Sequence, residues 1–477
     1  MKTYLIFVLS GVLALAACTG GGEQTAGIDA RGDLPPSAIV SQGAIAGFGS
    51  VIVNGVTFDT SSTTVFDIDG SSGGSQSDLA VGQVIVVQGT FGDDPTMATA
   101  DSISYDDAVE GPITAIDLAA GTFTALGQLL IVDANTSFDG SIDPASLDGL
   151  NVGDVVEVSG FFLTNGSIEA TRIESRAAGG EFELTGTVSN ATATTFEING
   201  FVVDFSGVAM LEDFPTGALE NGQRVEAKGD AAGGTEPLLA TRVRFRGGDL
   251  GSDGDRAELE GFITRFDAAT PNDFDIDGRP VLTDTQTVFE NGTRADLTLD
   301  VKVEAEGDID AFGVLIADKV EIKVSGSIRV ESLVEAVQAD QLTVLGIVIG
   351  VDSATRYEDK SSAPLEMFSL VNVGVDDYVE IRGFLDSGGV VATRLDRDDY
   401  IVGDPVTLRG VVDGVAAPAF TILGATVLTG PGTDFKANDG TSIDSVAFFA
   451  QAMGQLVEAV GTLSGSSIVA AEVKFEN

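Results

Sequence analysis

Residues 152–160 read VGDVVEVSG, and the same nine-residue pattern returns as VGQVIVVQG (81–89), NGQRVEAKG (221–229), LDVKVEAEG (299–307), VDDYVEIRG (375–383) and MGQLVEAVG (453–461). Every copy ends in glycine, at Gly89, Gly160, Gly229, Gly307, Gly383 and Gly461, with spacings of 71, 69, 78, 76 and 78 residues. That period is too long for a solenoid coil and suits one small domain per repeat. Within each copy the fifth and seventh residues are apolar, as Val156 and Val158 are, while the sixth is Glu157, Glu226, Glu304, Glu380 or Glu458, with Val86 the exception. Alternation with period two places the apolar residues on one face of a strand and the acids on the other. The pattern therefore reads as a core strand with a wet outer face, and the closing glycine as the site of a bulge or sharp bend.

The second repeat shows the clearest element order. GPITAID (111–117), GTFTALG (121–127) and QLLIVDANTSF (128–138) read as three strands, SIDPASLDGL (141–150) leaves room for a helical turn, and DVVEVSGFFL (154–163) and GSIEATRIES (166–175) supply two more strands. This is the order of a five-stranded OB-type barrel. The second and third strands are joined at Asn54-Gly55, Leu126-Gly127, Asn199-Gly200, Asp277-Gly278, Leu345-Gly346 and Leu423-Gly424, of which the Asn-Gly and Asp-Gly pairs are strong hairpin signals. The fifth strand carries a small alanine at one fixed place, as in ATRI (170–173) and ATRV (240–243), which calls for close packing on that face.

The expected fold is all-β, a tandem array of six small OB-like barrels. They span 41–106, 107–176, 177–247, 256–324, 326–399 and 405–477, with short polar connectors of which 247–256 is the best hinge. The expected arrangement is a string of barrels held off a membrane.

The chain of 477 residues carries 73 acidic against 25 basic side chains, a formal charge of -48. Such a field repels a phosphate backbone, so nucleic acid is not an expected partner. No stretch outside the amino-terminal segment approaches the ~20 apolar residues of a spanning helix. A transmembrane β-barrel is disfavoured by the absence of Trp and the scarcity of Tyr for aromatic girdles.

At the amino terminus, Lys2 precedes an apolar run from Tyr4 to Ala16, followed by Leu15-Ala16-Ala17-Cys18. This resembles a bacterial lipoprotein signal, in which 1–17 is removed and the thiol of Cys18 is lipidated. Residues 18–40 then form the lipidated cysteine and a flexible tether. Several acyl chains at ~0.8 kcal/mol per buried methylene give a stable anchor. Thr19 rather than Asp after the cysteine implies, by the same resemblance, the outer membrane. With its one cysteine lipidated, the chain has no disulfide to draw on.

GAIAGFGSVIVNGVTFDTSSTTVF (43–66) followed by DLAVGQVIVVQG (78–89) resembles the bacterial domain of unknown function 5666, a family found in tandem in envelope lipoproteins. The likeness is fullest in the first two repeats. It implies architecture and envelope location, and brings no catalytic or binding residue.

With no histidine the chain lacks the commonest general base and transition-metal ligand, and lipidation of its one thiol removes Cys-dependent catalysis and Zn-Cys sites. GSSGG (70–74) matches a nucleophile-elbow pattern only formally and reads as a loop. A carboxylate-pair hydrolase is the least favoured alternative, because acids are too abundant for any pair to stand out. For calcium, DLGSDGDRAELE (249–260) offers Asp249, Asp253, Asp255 and Glu258 as a candidate site. FDIDG occurs at 66–70 and again at 274–278, at different places in the repeat, and reads as turn chemistry. The repeated glutamates read as a solvated face. The functional expectation is a non-catalytic envelope spacer or interaction surface, with a glycan- or calcium-binding module as the alternative and a glycan or another envelope protein as possible partners.

Overall fold

The computed structural model describes residues 38–477 apart from 134, 209–210, 236, 248–250, 268–272, 324–325, 353, 366, 386–388, 439 and 477. Cys18, the amino-terminal apolar run and residues 19–37 of the expected tether lie outside the described residues, as does Asp249, while 38–40, expected to be tether, begin the first strand, Ala38–Gly47, where Ile39 and Val40 are buried.

Each of the six repeats contains five principal strands, to which repeats 1, 2, 5 and 6 add one or two short ones. In repeat 2 the five are Val109–Asp117, Thr122–Ala125, Gln128–Ile131, Val155–Phe162 and Ile168–Arg176. The first strand pairs with the second, the second with the third, the third runs parallel to the fifth, the fifth pairs with the fourth, and the fourth returns to the first. The same closed circuit recurs in repeats 1, 3, 4, 5 and 6. A single 3-10 turn separates the third and fourth strands in four repeats, at Gln76–Asp78, Leu147–Gly149, Arg294–Asp296 and Leu370–Asn372. Repeat 6 has a short α-helix there, Ser445–Gln451, capped by the Asp444 carboxylate on the Ala447 N–H. Repeat 3 instead places its 3-10 turn, Ala232–Gly234, between the fourth and fifth strands.

All twelve residues of the six second-to-third turns have positive φ, from 50° and 79° at Asn54 and Gly55 to 52° and 77° at Leu423 and Gly424. This is the backbone of a type I′ turn, whose twist matches that of the flanking strands. A leucine in that conformation is costly. Leu126 and Leu345 offset the cost by burial, at 0% and 2% exposed.

The closing glycines mark a register shift between the fourth and fifth strands in every repeat, from Gln88/Gly89 to Val460/Gly461. At each one a Cβ would fall on a backbone carbonyl of the fifth strand, such as that of Glu169 for Gly160 and Ile316 for Gly307. The fifth-strand alanines, including Ala170 and Ala392, are buried in the cores.

The repeats do not form a string. Repeats 1 and 4 share a 12-stranded sheet, repeats 2 and 3 an 11-stranded sheet, and repeats 5 and 6 a 13-stranded sheet. Repeats 2 and 3 join through their antiparallel first strands and share one apolar core, as do repeats 5 and 6. Repeats 1 and 4 keep separate cores and join through a parallel ladder, Ile39 to Gln42 against Arg256 to Leu259. Repeat 2 touches the other two sheets. The Val84 N–H donates to Ser159 Oγ at 2.7 Å, the Thr164 N–H and hydroxyl donate to Asp300 at 2.7 Å, and Arg394 Nη1 donates to the Thr136 carbonyl at 2.8 Å. The 247–256 stretch thus connects two repeats that are also held by packing elsewhere.

Candidate functional site

The outer faces of the strand circuits carry the charge, and the packing of repeat on repeat covers much of it. Glu157, Glu226 and Glu304, expected on a wet face, are 2%, 0% and 5% exposed. Glu380 and Glu458 remain partly exposed. The alternation assigned these side chains to the correct side of the strand. A neighbouring repeat, not water, lies on that side.

Burial produces two unlike ladders. Across four adjacent strands of repeats 2 and 3, Glu183, Glu110, Glu157 and Glu174 stand directly opposite one another. Across repeats 5 and 6, Arg409, Arg329, Arg382, Arg394 and Arg356 do the same. Like charges in directly opposed positions are destabilising unless something neutralises them. The arginines have acids beside them: Arg329 meets Glu380 at 2.9 Å and Glu331 at 3.0 Å, Arg382 meets Glu380 at 2.5 Å, and Arg394 meets Asp396 at 2.7 Å and Glu358 at 3.0 Å.

The glutamate ladder is less well matched, and further acids join it. Asp69, Asp107 and Glu183 bring one carboxylate oxygen each within 4.8 Å of the others, and so do Asp107, Glu110 and Glu157. Asp69 comes from the turn of FDIDG in repeat 1, at φ 50°, and Asp107 from the connector to repeat 2. The Tyr105 hydroxyl donates to Asp107 at 2.7 Å and to Glu157 at 2.8 Å. Of the cations, Arg176 pairs with Glu157 and Lys228 with Glu183. Burial, with Glu157 adding repulsion, pushes the Asp69 carboxyl up to about 6. Burial and then Glu157 push Asp107 well above the carboxylate range, and burial and then Glu226 do the same for Glu183.

The acids singled out for calcium are dispersed. Glu258 lies in the first strand of repeat 4, fully buried, and accepts from Ser41 Oγ at 3.1 Å across the joint with repeat 1. Its carboxyl is pushed up by burial and by Glu304 and Glu306. Asp255 accepts from the Ser252 N–H at 2.6 Å, closing its own turn, and Asp253 is exposed. In the second FDIDG, Asp277 pairs with Arg224 of repeat 3 at 2.5 Å and Asp275 with Arg265 at 2.6 Å. Ser71 and Ser72 of GSSGG form an exposed two-residue strand paired to Asp67 and Ile68.

A cleft of about 520 Å³ opens between repeat 2 and repeats 5 and 6, lined by Lys360, Arg382, Arg394 and Arg409 together with Glu380 and Asp396. Burial disfavours ionised Glu380, but Arg382, Arg329 and Arg394 outweigh it and hold the carboxyl down at about 2, from 4.5. A lowered folded value means that this group adds stability above pH 4.5 and loses it as the pH falls toward 2. The melting advantage of the parent protein over Glu380→Gln is therefore expected to be full near neutrality and to vanish as acid is added. An advantage that persists unchanged into that acid range would contradict the assignment.

These features define a tandem-repeat, all-β protein whose charged faces are turned toward one another. Six consecutive matches to one family model, at 39–103, 110–174, 185–244, 260–321, 331–396 and 409–474, cover most of the chain. It belongs to the DUF5666 family, a domain of unknown function. Among curated proteins no relative matches. No helix among the described residues is long and apolar enough to cross a membrane.

Proposed function

We propose that this chain is a lipid-anchored protein of the bacterial outer membrane, in which each closed five-strand circuit is an OB-like barrel and the array acts as a non-catalytic spacer or interaction body. The observation that carries the reading is Leu15-Ala16-Ala17-Cys18 at the end of an apolar run, ahead of six folded repeats. The mutual burial of charged faces supports a body that holds its shape, which a spacer needs. Replacing Cys18 by serine is expected to move the protein from the detergent-soluble membrane fraction to the aqueous fraction. Mass spectrometry of membrane-derived protein should find an acylated amino-terminal cysteine. An unmodified Cys18 on mature, freely soluble protein would overturn the anchor.

A second reading, a glycan-binding module, is favoured by the cleft beside the arginine ladder. Its guanidinium groups suit an acidic saccharide, since Arg binds carboxylates through paired N–H donors. Titration with glucuronic acid oligomers is expected to raise the melting temperature of the parent protein and not of Arg409→Gln. Equal behaviour of the two would remove this reading.

A further inference from the structure

We propose that the carboxylate cluster at the junction of repeats 1, 2 and 3 is a binding site for a hard divalent cation, with calcium the best match, held by Asp69, Asp107, Glu110, Glu157 and Glu183. Three independent features lead there. The first is the approach of the oxygens in two groups that share Asp107. The second is that Asp107 is 0% exposed and its Oδ2 has no hydrogen-bond partner among the described residues, while Oδ1 accepts from Tyr105. A buried carboxylate oxygen left without a donor costs its desolvation, and a cation removes that cost. The third is the register, which stacks Glu183, Glu110 and Glu157 across adjacent strands, where like charges repel.

Charge points the same way. Five carboxylates meet two touching cations, Lys228 and an Arg176 that Glu174 shares, so ionising all five requires further positive charge in a covered site. The donors are all oxygen, which selects calcium or magnesium over softer metals. Calcium accepts six to eight oxygens in loose geometry, whereas magnesium demands a near-ideal octahedron and keeps its waters. Carboxylates drawn from three separate repeats suit the former. Because the ligands come from repeat 1, the first connector, repeat 2 and repeat 3, an ion here would fasten three repeats at one point. This site is independent of the anchor proposed above.

Terbium, a calcium mimic, tests the proposal directly. The chain contains no Trp, and the Tyr105 hydroxyl lies 2.7 Å from Asp107, so tyrosine-sensitised terbium emission reports an ion at this position. With chelator-stripped full-length protein in detergent, emission is expected to saturate at one ion per chain and to be reversed by calcium, and calcium alone should raise the melting temperature. Asp107→Asn should weaken binding at least about tenfold, as loss of even an outer partner commonly does. In chelator it should melt at or above the parent, since an amide Nδ2 can donate to the neighbouring carboxylates. Should that variant fail to fold, Glu110→Gln, at the part-exposed edge, is expected to weaken terbium binding in the same way. Tyr105→Phe should dim the emission and leave the calcium-induced rise in melting temperature in place. Absence of sensitised emission, emission unchanged by both acid substitutions, or a melt unmoved by calcium would each overturn the site and leave protons as the neutralising agent.

Discussion

Gly307→Val is expected to destabilise the protein by about 3 kcal/mol or more, lowering the melting temperature of the affected unit by at least roughly 6 °C. The reason is collision, not backbone conformation. Gly307 has no positive φ; it sits at the register shift where the fourth strand crosses the fifth, and an added Cβ would fall on the Ile316 carbonyl oxygen and against the Ala317 Cα. Neither obstacle is a flexible side-chain end, so relief requires the two strands to part. Gly313 makes the contrasting control: its φ is 76° and nothing lies near its Cβ position, so Gly313→Ala should cost only the 1 to 2 kcal/mol of a left-handed residue, at about that level. Thermal melts and limited proteolysis of the two variants measure the difference. A Gly307→Val protein that melts with its parent would show that the bulge is not required.

The second large effect is expected at Arg394, which is 5% exposed and makes its ion pairs inside the joint between repeats 2 and 5. Arg394→Met leaves Asp396, 4% exposed, with Lys360 as its remaining nearby cation, leaves Glu358 with Arg172 and Lys360, and takes the donor from the Thr136 carbonyl. Breaking one side of a buried pair in this way costs about 3–5 kcal/mol, most of it the penalty of the stranded charge. Replacing both partners, Arg394→Met with Asp396→Leu, should therefore restore at least half of the loss. Calorimetric melts of the single and double variants give the comparison. A single variant within about 1 kcal/mol of the parent, a surface-pair value, would show that the pair is not buried in solution.

Much of the single repeat was legible because its signals are local. Period-two alternation located the fourth strand, Asn54-Gly55 and its counterparts located the hairpin, and Gly160 and its counterparts located the bulge. The choice of partner was not legible. Repeat 1 joins repeat 4 through Ile39 to Gln42 and Arg256 to Leu259, segments more than two hundred residues apart. Nothing in either segment names the other. The same gap explains the glutamates. Alternation tells which face Glu157 or Glu304 occupies, and says nothing about what covers that face.

The candidate cation site shows the limit most plainly. The aspartate-rich run at 249–258 attracted the calcium reading by density, but a ligand set depends on convergence. Glu258 points into the joint between repeats 1 and 4 while Asp255 closes a turn. Asp69 and Asp107, separated by a whole fourth and fifth strand in sequence, converge because the connector folds back under the turn of FDIDG. One signal was available: Glu110, Glu157 and Glu183 all sit in first or fourth strands, and writing out the pairing of neighbouring repeats would have set them opposite one another.

The repeats pack out of sequence order, and the joint between repeats 1 and 4 opens that order to measurement. Ser41 and Glu258 are register partners on adjacent strands with side chains in hydrogen-bond contact at 3.1 Å, a separation that a disulfide spans. With Cys18 replaced by serine, Ser41→Cys with Glu258→Cys leaves just these two thiols in the chain. Oxidation followed by cleavage at a protease site placed in the 247–256 connector is expected to leave the two halves covalently joined until reductant is added. Halves that separate without reductant, as those of a string of repeats would, contradict the packing described.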